Sequence, residues 1–444
     1  EDPLAQNGDS GSNRINSEIN HASEQKDDLS ESLGKYNSTN QSGDADTDYT
    51  YLSGSNMNQT SITLMNRDVK SSTLEILEAQ DDAARSGTVA LIGSGATVVA
   101  ETGNIDIISQ QHIKFLAIGG SIAAGGGSFG SVIDITVIGS NVEAYVQPGA
   151  ELTAGSDINI TSLLASDIQS HAVAGNVSAS GSIGAQVTVI YDHASQRAAL
   201  GGDMTNDLNT VAKSDNLTIS TTSIRNILAD ASGSAVGAMA AGASITVSVV
   251  DGQTLAFIGK TNYESTIPSG ILMVKAFSKL DSQTWAINLS GGPGSSLGSA
   301  IAVNIVNSST EAIVWESNIG LSADILETVA ISAISQVKVD VNVIGANVGA
   351  VAAGLNVGVA NVNPIIIAQI NNSDLFVKNL AVQTFYNYAE DSSKLDQGAT
   401  VLSAGGSAGA VGIQGTIATV HSAVKITNQI NNIRITPVTM VNII

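Results

Sequence analysis

Apolar and small residues alternate along most of this chain. Ile245, Val247 and Val249 share one face of an extended segment, with Ser244, Thr246 and Ser248 on the other, and Ile301, Val303 and Ile305 repeat the arrangement. A period of two is that of a β-strand. The Ala- and Gly-rich runs between such segments show no 3.6-residue period, and each Gly costs a helix about 1 kcal/mol. Strands are therefore predicted there as well.

The alternation belongs to a repeat. Short segments ending in an apolar anchor recur as Ala90-Leu91-Ile92, Ala144-Tyr145-Val146, Ala198-Ala199-Leu200, Ala256-Phe257-Ile258, Ala312-Ile313-Val314, Ala368-Gln369-Ile370 and Val424-Lys425-Ile426. Successive anchors are 54, 54, 58, 56, 56 and 56 residues apart. Sixteen residues before an anchor lie Gly130, Gly184, Gly242, Gly298, Gly354 and Ala410; positions eighteen and twenty before it are likewise always Gly, Ala or Ser. Turn residues separate the long strand from the anchor strand, as in Asp251-Gly252, Asn307-Ser308 and Asn363-Pro364. The predicted fold is all-β: tandem ~56-residue repeats forming a β-solenoid or stacked multi-strand β-layers. Such a unit is long for one ordinary coil, so it is expected to hold two or three coils or one broad layer, with each repeat covering the next.

A strand face of Gly, Ala and Ser gains little from burial, because that gain scales with apolar area. It does allow close approach, so this face is expected to pack tightly, within the chain or between chains.

Composition narrows the function. Hydrophobic residues make up 43% but aromatics only 4%, so the core is expected from Ala, Val and Ile. There is no cysteine, which excludes disulfides, thiol catalysis and zinc–thiolate sites. With a net charge of −22 and only 18 Lys and Arg, the chain is no nucleic-acid binder. No apolar run reaches the length of a transmembrane helix. Residues 1–59 are polar and acidic, with the composition of a disordered arm. A partial repeat over 60–112, a tandem body over 113–426 and an apolar partial repeat over 427–444 complete the predicted organisation. The last segment suggests an assembly edge made of Ile435, Val438, Met440, Val441, Ile443 and Ile444. The opening Glu1-Asp2-Pro3-Leu4 fits a secreted chain after leader removal, or a boundary introduced by cutting.

Candidate chemistry is sparse. His21, His112, His171, His193 and His421 have no metal-ligand spacing, and Asp192-His193 reads as a turn rather than part of a triad. Acidic pairs such as Asp203/Asp207 and Glu390/Asp391 read as solvated surface; no catalytic residue, dedicated metal site or cofactor is expected. Among nine N-x-[ST] sequons, Asn37, Asn40, Asn58, Asn307 and Asn371 are the candidate glycosylation acceptors.

The stretch Ala350-Val351-Ala352-Ala353-Gly354-Leu355-Asn356-Val357-Gly358-Val359-Ala360-Asn361, followed by a turn and Ala368-Gln369-Ile370, resembles the repeats of leukotoxin-type and filamentous-haemagglutinin-like adhesins of bacterial surfaces. It is also similar in character to amyloid-like sheath proteins of filamentous archaea. These resemblances imply an extracellular or cell-surface repeat protein whose partners are copies of itself, with weak divalent-cation or glycan contacts at most. The expectation is a structural protein, not an enzyme, that self-assembles through strand edges into a fibre, sheath or surface layer. The alternative is a stalk or binding segment of a secreted adhesin.

Overall fold

The computed structural model describes residues 87–202, 208–389, 393–436 and 440–443. The chain divides into two units, Glu1–Val69 and Lys70–Ile444, and only the second contains described residues. The predicted arm over 1–59 lies outside them.

All regular structure among the described residues is β, and every ladder between strands is parallel. The fold is a β-solenoid in which each ~56-residue repeat is one broad coil. A coil opens with a short wall strand, such as Asn141–Val146 or Ser309–Trp315, and turns into a corner strand, such as Glu151–Ala154 or Asn318–Ile319. A long outbound strand follows, as in Leu217–Val236, Ile271–Gly291 and Leu326–Val348. The chain then reverses into a return strand, as in Met239–Val250, Ser295–Val306 and Val351–Val362. In the first two coils outbound and return segments form single strands, Ile105–Ile138 and Ile158–Asp192. Six coils are followed by the strands that open a seventh, Lys425–Asn431, Arg434–Ile435 and Met440–Ile443.

The anchor triplets owe their pattern to the wall strand. Ala144 and Val146 point into the coil, and Ala198/Leu200, Ala256/Ile258, Ala312/Val314 and Ala368/Ile370 stack above them in register. Leu152 from the corner strand and Ile158 and Ile160 from the outbound strand close the same core, all without solvent exposure. Each such Val, Leu or Ile contributes roughly 1.5–3 kcal/mol by burial. The small Ala at every other wall position lets three walls meet.

The final anchor falls elsewhere than the spacing suggests. Ile370 pairs with Ile430, not Ile426, because the sixth coil is longer than the fifth. Its outbound path is split into Val377–Tyr386 and Ala399–Ala408. Gly354 is therefore matched by Gln414 rather than Ala410.

The turn from wall to corner is the tightest point of the coil. Lys260, Glu316, Asn372 and Asn432 adopt φ values of 41°, 45°, 49° and 48° there, a region that costs L residues roughly 1–2 kcal/mol. After the first three of these a hydroxyl one residue later offsets that cost. Thr261, Ser317 and Ser373 each donate to the carbonyl two residues back, at 2.9, 2.7 and 2.7 Å. Each of the latter two also accepts from the backbone N–H of its counterpart one coil earlier: Thr261 to Ser317 at 3.3 Å, and Ser317 to Ser373 at 3.1 Å.

Beyond the three-walled core, outbound and return strands lie face to face as a double-layered blade. Near the core the interior is apolar, with Ile168, Ile190, Ile227, Leu280, Val337, Val339, Val341 and Val362. Farther out it is polar. Asn288 faces the gap at Gly242, and Asn347 those at Gly298 and Gly354. The arrangement also runs the other way: Asn356 on a return strand faces Gly345 and Gly405, and Gln186 faces Gly233. The small face predicted from sequence is thus internal, and what approaches it is amide side chains from the opposite layer. Hydroxyls join the two layers as well: Ser244 donates to the Ile287 carbonyl at 2.7 Å and Thr246 to the Trp285 carbonyl at 2.6 Å.

Candidate assembly surfaces

With Ser244, Thr246 and Ser248 buried between the layers, the alternate residues of the return strands must face outward. They form rows across the sheet. One row runs Ile133, Val187, Ile245, Ile301, Val357 and Ile417, and the next Ile135, Val189, Val247, Val303, Val359 and Thr419. Toward the outer rim Phe129, Ile183, Leu297 and Ile413 are more than half exposed. None of the outward positions on the return strands is Asp, Glu, Lys or Arg. The β-branched face of the return strands is in large part an external surface.

Charge is carried by the other face of the blade. On the outbound strands Asn159 donates to Asp106 across the ladder at 2.8 Å, and His171 lies 3.5 Å from Asp230. Lys338 lies between Asp281 at 3.3 Å and Asp340 at 3.0 Å. The Asp340 contact is the main reason the Lys338 ammonium holds its proton above the usual lysine range. Among the described residues no three His, Asp or Glu gather as a cation site.

Two ionisable groups are buried where the return strand turns into the wall. Arg225 and Asp192 are 3.7 Å apart, at 3% and 0% exposure. Arg225 also donates to Ser223 Oγ at 3.0 Å, to Gln196 Oε1 at 3.2 Å and to the Ala194 carbonyl, while Asp192 accepts from the Ala194 N–H at 3.0 Å. The pair closes a corner; in neighbouring coils Leu280 and Val250 take the same ladder positions. Asp192-His193 belongs to this turn, as its residue types suggest.

The second candidate surface is the strand edge of the last described coil. Ile426 is half exposed, whereas Ile366, its ladder partner, is fully buried. Val420, Val441 and Ile443 stand in the same relation to the buried Ala360, Leu380 and Val382. Among the described residues, the rows that fill the core below thus surface at this edge without a polar cover. Of the residues expected to form it, Ile435, Met440, Val441 and Ile443 lie on its strands; Val438 and Ile444 lie outside the described residues. Val420 and Ile426 belong to the edge too.

The glycosylation candidates separate. Asn307 sits exposed in the turn before a wall strand, whereas Asn371, at 4% exposure, ends a wall strand with its side chain buried and is not accessible in the folded chain. Asn37, Asn40 and Asn58 lie outside the described residues.

No family model matches the chain, and no curated protein and no solved structure is a match for it.

Proposed function

We propose that this protein is a structural β-solenoid that works outside the cell and assembles through its strand edges into a fibre, sheath or surface layer. The observation that carries the reading is the bare edge of the last coil. There the core rows continue into side chains such as Ile426 and Ile443 that a further layer of the same pattern would cover. An unpaired parallel edge with an apolar interior is a template for another strand layer. The mechanism is mechanical: ladder hydrogen bonds and in-register burial transmit load along the stack, and the carboxylates of the outbound face keep it hydrated. No catalytic step is part of this role.

The open edge can be blocked without touching the body. Val411 and Ala423 donate their N–H groups inward, to Ala350 and Val362, so the N–H groups of Thr416 and Ala418 point to the free side. A T416P/A418P chain is expected to keep its β circular-dichroism spectrum and lose the polymers that electron microscopy sees with the unaltered protein. Polymers that persist in the blocked chain refute stacking through this edge.

A second reading, a stalk segment of a secreted adhesin, is favoured by the same bare edge, since coils of one longer chain would cover it equally well. Isolated rods instead of polymers at neutral pH would support it.

A further inference from the structure

We infer that the outer face of the return-strand sheet is a lateral interface on which a second copy of this chain docks sheet to sheet. This deepens the proposal above by adding a sideways contact to the end-to-end one, and it rests on the same reading of the chain as building material. Three observations choose the occupant.

The first is area. Six return segments, each about 12 residues long, present roughly 40 Å by 28 Å of surface at about 3.3 Å per residue and 4.8 Å per strand. That is on the order of 1,000 Å² per copy, which meets the roughly 1,600 Å² total of a stable interface. Monomeric proteins rarely leave an apolar patch beyond a few hundred Å² in water.

The second is charge. The chain carries a net −22, so most pairs of its surfaces repel. The outward return positions hold no Asp or Glu, and here two acidic molecules meet without juxtaposing carboxylates. The outbound face, with Asp106, Asp230, Asp281 and Asp340, offers no such approach.

The third is spacing. The rows from Ile133 to Ile417 and from Ile135 to Thr419 pass through all the return-strand pairings without a register shift; the one shift lies at Gly125/Gly127, at the rim. Ridges that repeat at the strand spacing interdigitate best with a partner of the same repeat, as in dry paired sheets. A second copy has that repeat. Sheets docked in this way lie about 10 Å apart with strand directions within about 30°, and a twofold arrangement makes the contact self-complementary and closed.

The test uses the full-length T416P/A418P chain, in which end-to-end growth is blocked, and reads its mass by sedimentation equilibrium. A dimer is expected. Adding L297E and V303E should weaken it on the order of 100-fold or more, because each carboxylate faces its own copy. Leu297 is half exposed, so the substitution leaves folding intact, and circular dichroism checks this. Should V303E unfold the chain, L297E alone carries the test. The chain has no cysteine, so a nitroxide on V303C reports the interface directly, as a short intermolecular distance by pulsed electron resonance. A monomer at every concentration reached overturns the inference, as does a dimer indifferent to L297E/V303E. So does a monomer that binds phosphatidylcholine–phosphatidylglycerol vesicles through this face, which would make the occupant lipid. The two proposals fail separately: dimers without polymers in the unaltered chain sink end-to-end stacking alone, and single-width polymers with a monomeric blocked chain sink the lateral contact alone.

Discussion

Asn288 occupies the space that Gly242 leaves in the facing layer: a Cβ on Gly242 would stand 2.7 Å from the Asn288 Oδ1. The amide has nowhere to retreat. It is 1% exposed, donates to the Ser299 carbonyl at 3.1 Å and accepts from Ser290 Oγ at 3.1 Å. G242A is therefore expected to destabilise the chain by about 1–3 kcal/mol, the usual penalty for overpacking. G181A, on a return strand with open space around it, should be near neutral. N288A should relieve part of the cost of G242A, seen as a favourable coupling in a double-mutant cycle by urea unfolding. Equal effects of G242A and G181A would show that the cavity match is unimportant.

The hydroxyl of Ser317 is a second joint between coils. S317A removes the acceptor of the buried Thr261 N–H and the donor to the Trp315 carbonyl. Leaving such groups unpaired costs about 1–3 kcal/mol. S317T, which copies Thr261 in the neighbouring coil, is expected to stay within about 0.5 kcal/mol of the unaltered protein. The urea midpoints of the two variants check this, and a stable S317A would contradict it.

Arg225 and Asp192 give a sharper contrast. R225L strands a buried carboxylate and is expected to cost about 3–5 kcal/mol. The double variant R225L/D192V reproduces the Leu280 and Val250 of adjacent ladder positions and should recover most of that loss. Thermal unfolding of the single and double variants separates the cases, and a double variant as weak as R225L would show that the pair has a role its apolar counterparts lack.

His193 makes stability depend on pH. Its ring lies 4.8 Å from that of Tyr191, and neither nitrogen meets a hydrogen-bond partner among the described residues. Burial, with a smaller push from Arg225, holds its pKa below the ordinary 6.5 against the opposing pull of Asp192 and Asp251. Above 6.5 the imidazole is neutral whether the chain is folded or not, and it contributes nothing. Below 6.5 the unfolded chain takes up the proton first, so stability falls as pH drops toward the depressed folded value. The difference in unfolding free energy between the unaltered protein and H193N is expected to shift against the unaltered protein between about pH 7.5 and 5.5. A constant difference, or a His193 nuclear-resonance titration at or above 6.5, would contradict this.

Much of the fold is legible in the sequence because parallel stacking copies one constraint into every coil. Ala-x-apolar recurs at the wall since Ala144 and Val146 meet the same neighbours as Ala312 and Val314. The turns at Asp251-Gly252 and Asn307-Ser308 announce themselves through residue type. The corner strands do not, because two residues such as Asn318–Ile319 carry no period. Nor does alternation say which face is inside. Ile245 and Ser244 alternate identically whichever of them is buried, and hydrophobicity points to the wrong one, since Ser244 is enclosed by its bonds to Gln186 and the Ile287 carbonyl. The amide opposite each glycine lies tens of residues away in sequence, as with Asn347 and Gly298, and only the folded blade brings the two together. The seventh anchor stands at Ile430 and not Ile426 because the longer outbound path between Tyr386 and Ala399 changes the spacing.

The most direct measurement is fibre diffraction, or cryo-electron microscopy, on polymers of the full-length chain. Stacking through the bare edge at Ile426 and Ile443 should give a repeat of about 4.8 Å along the polymer axis, with the strands perpendicular to it. A chain that stays as separate rods, or a polymer whose strands run along its axis, would contradict it.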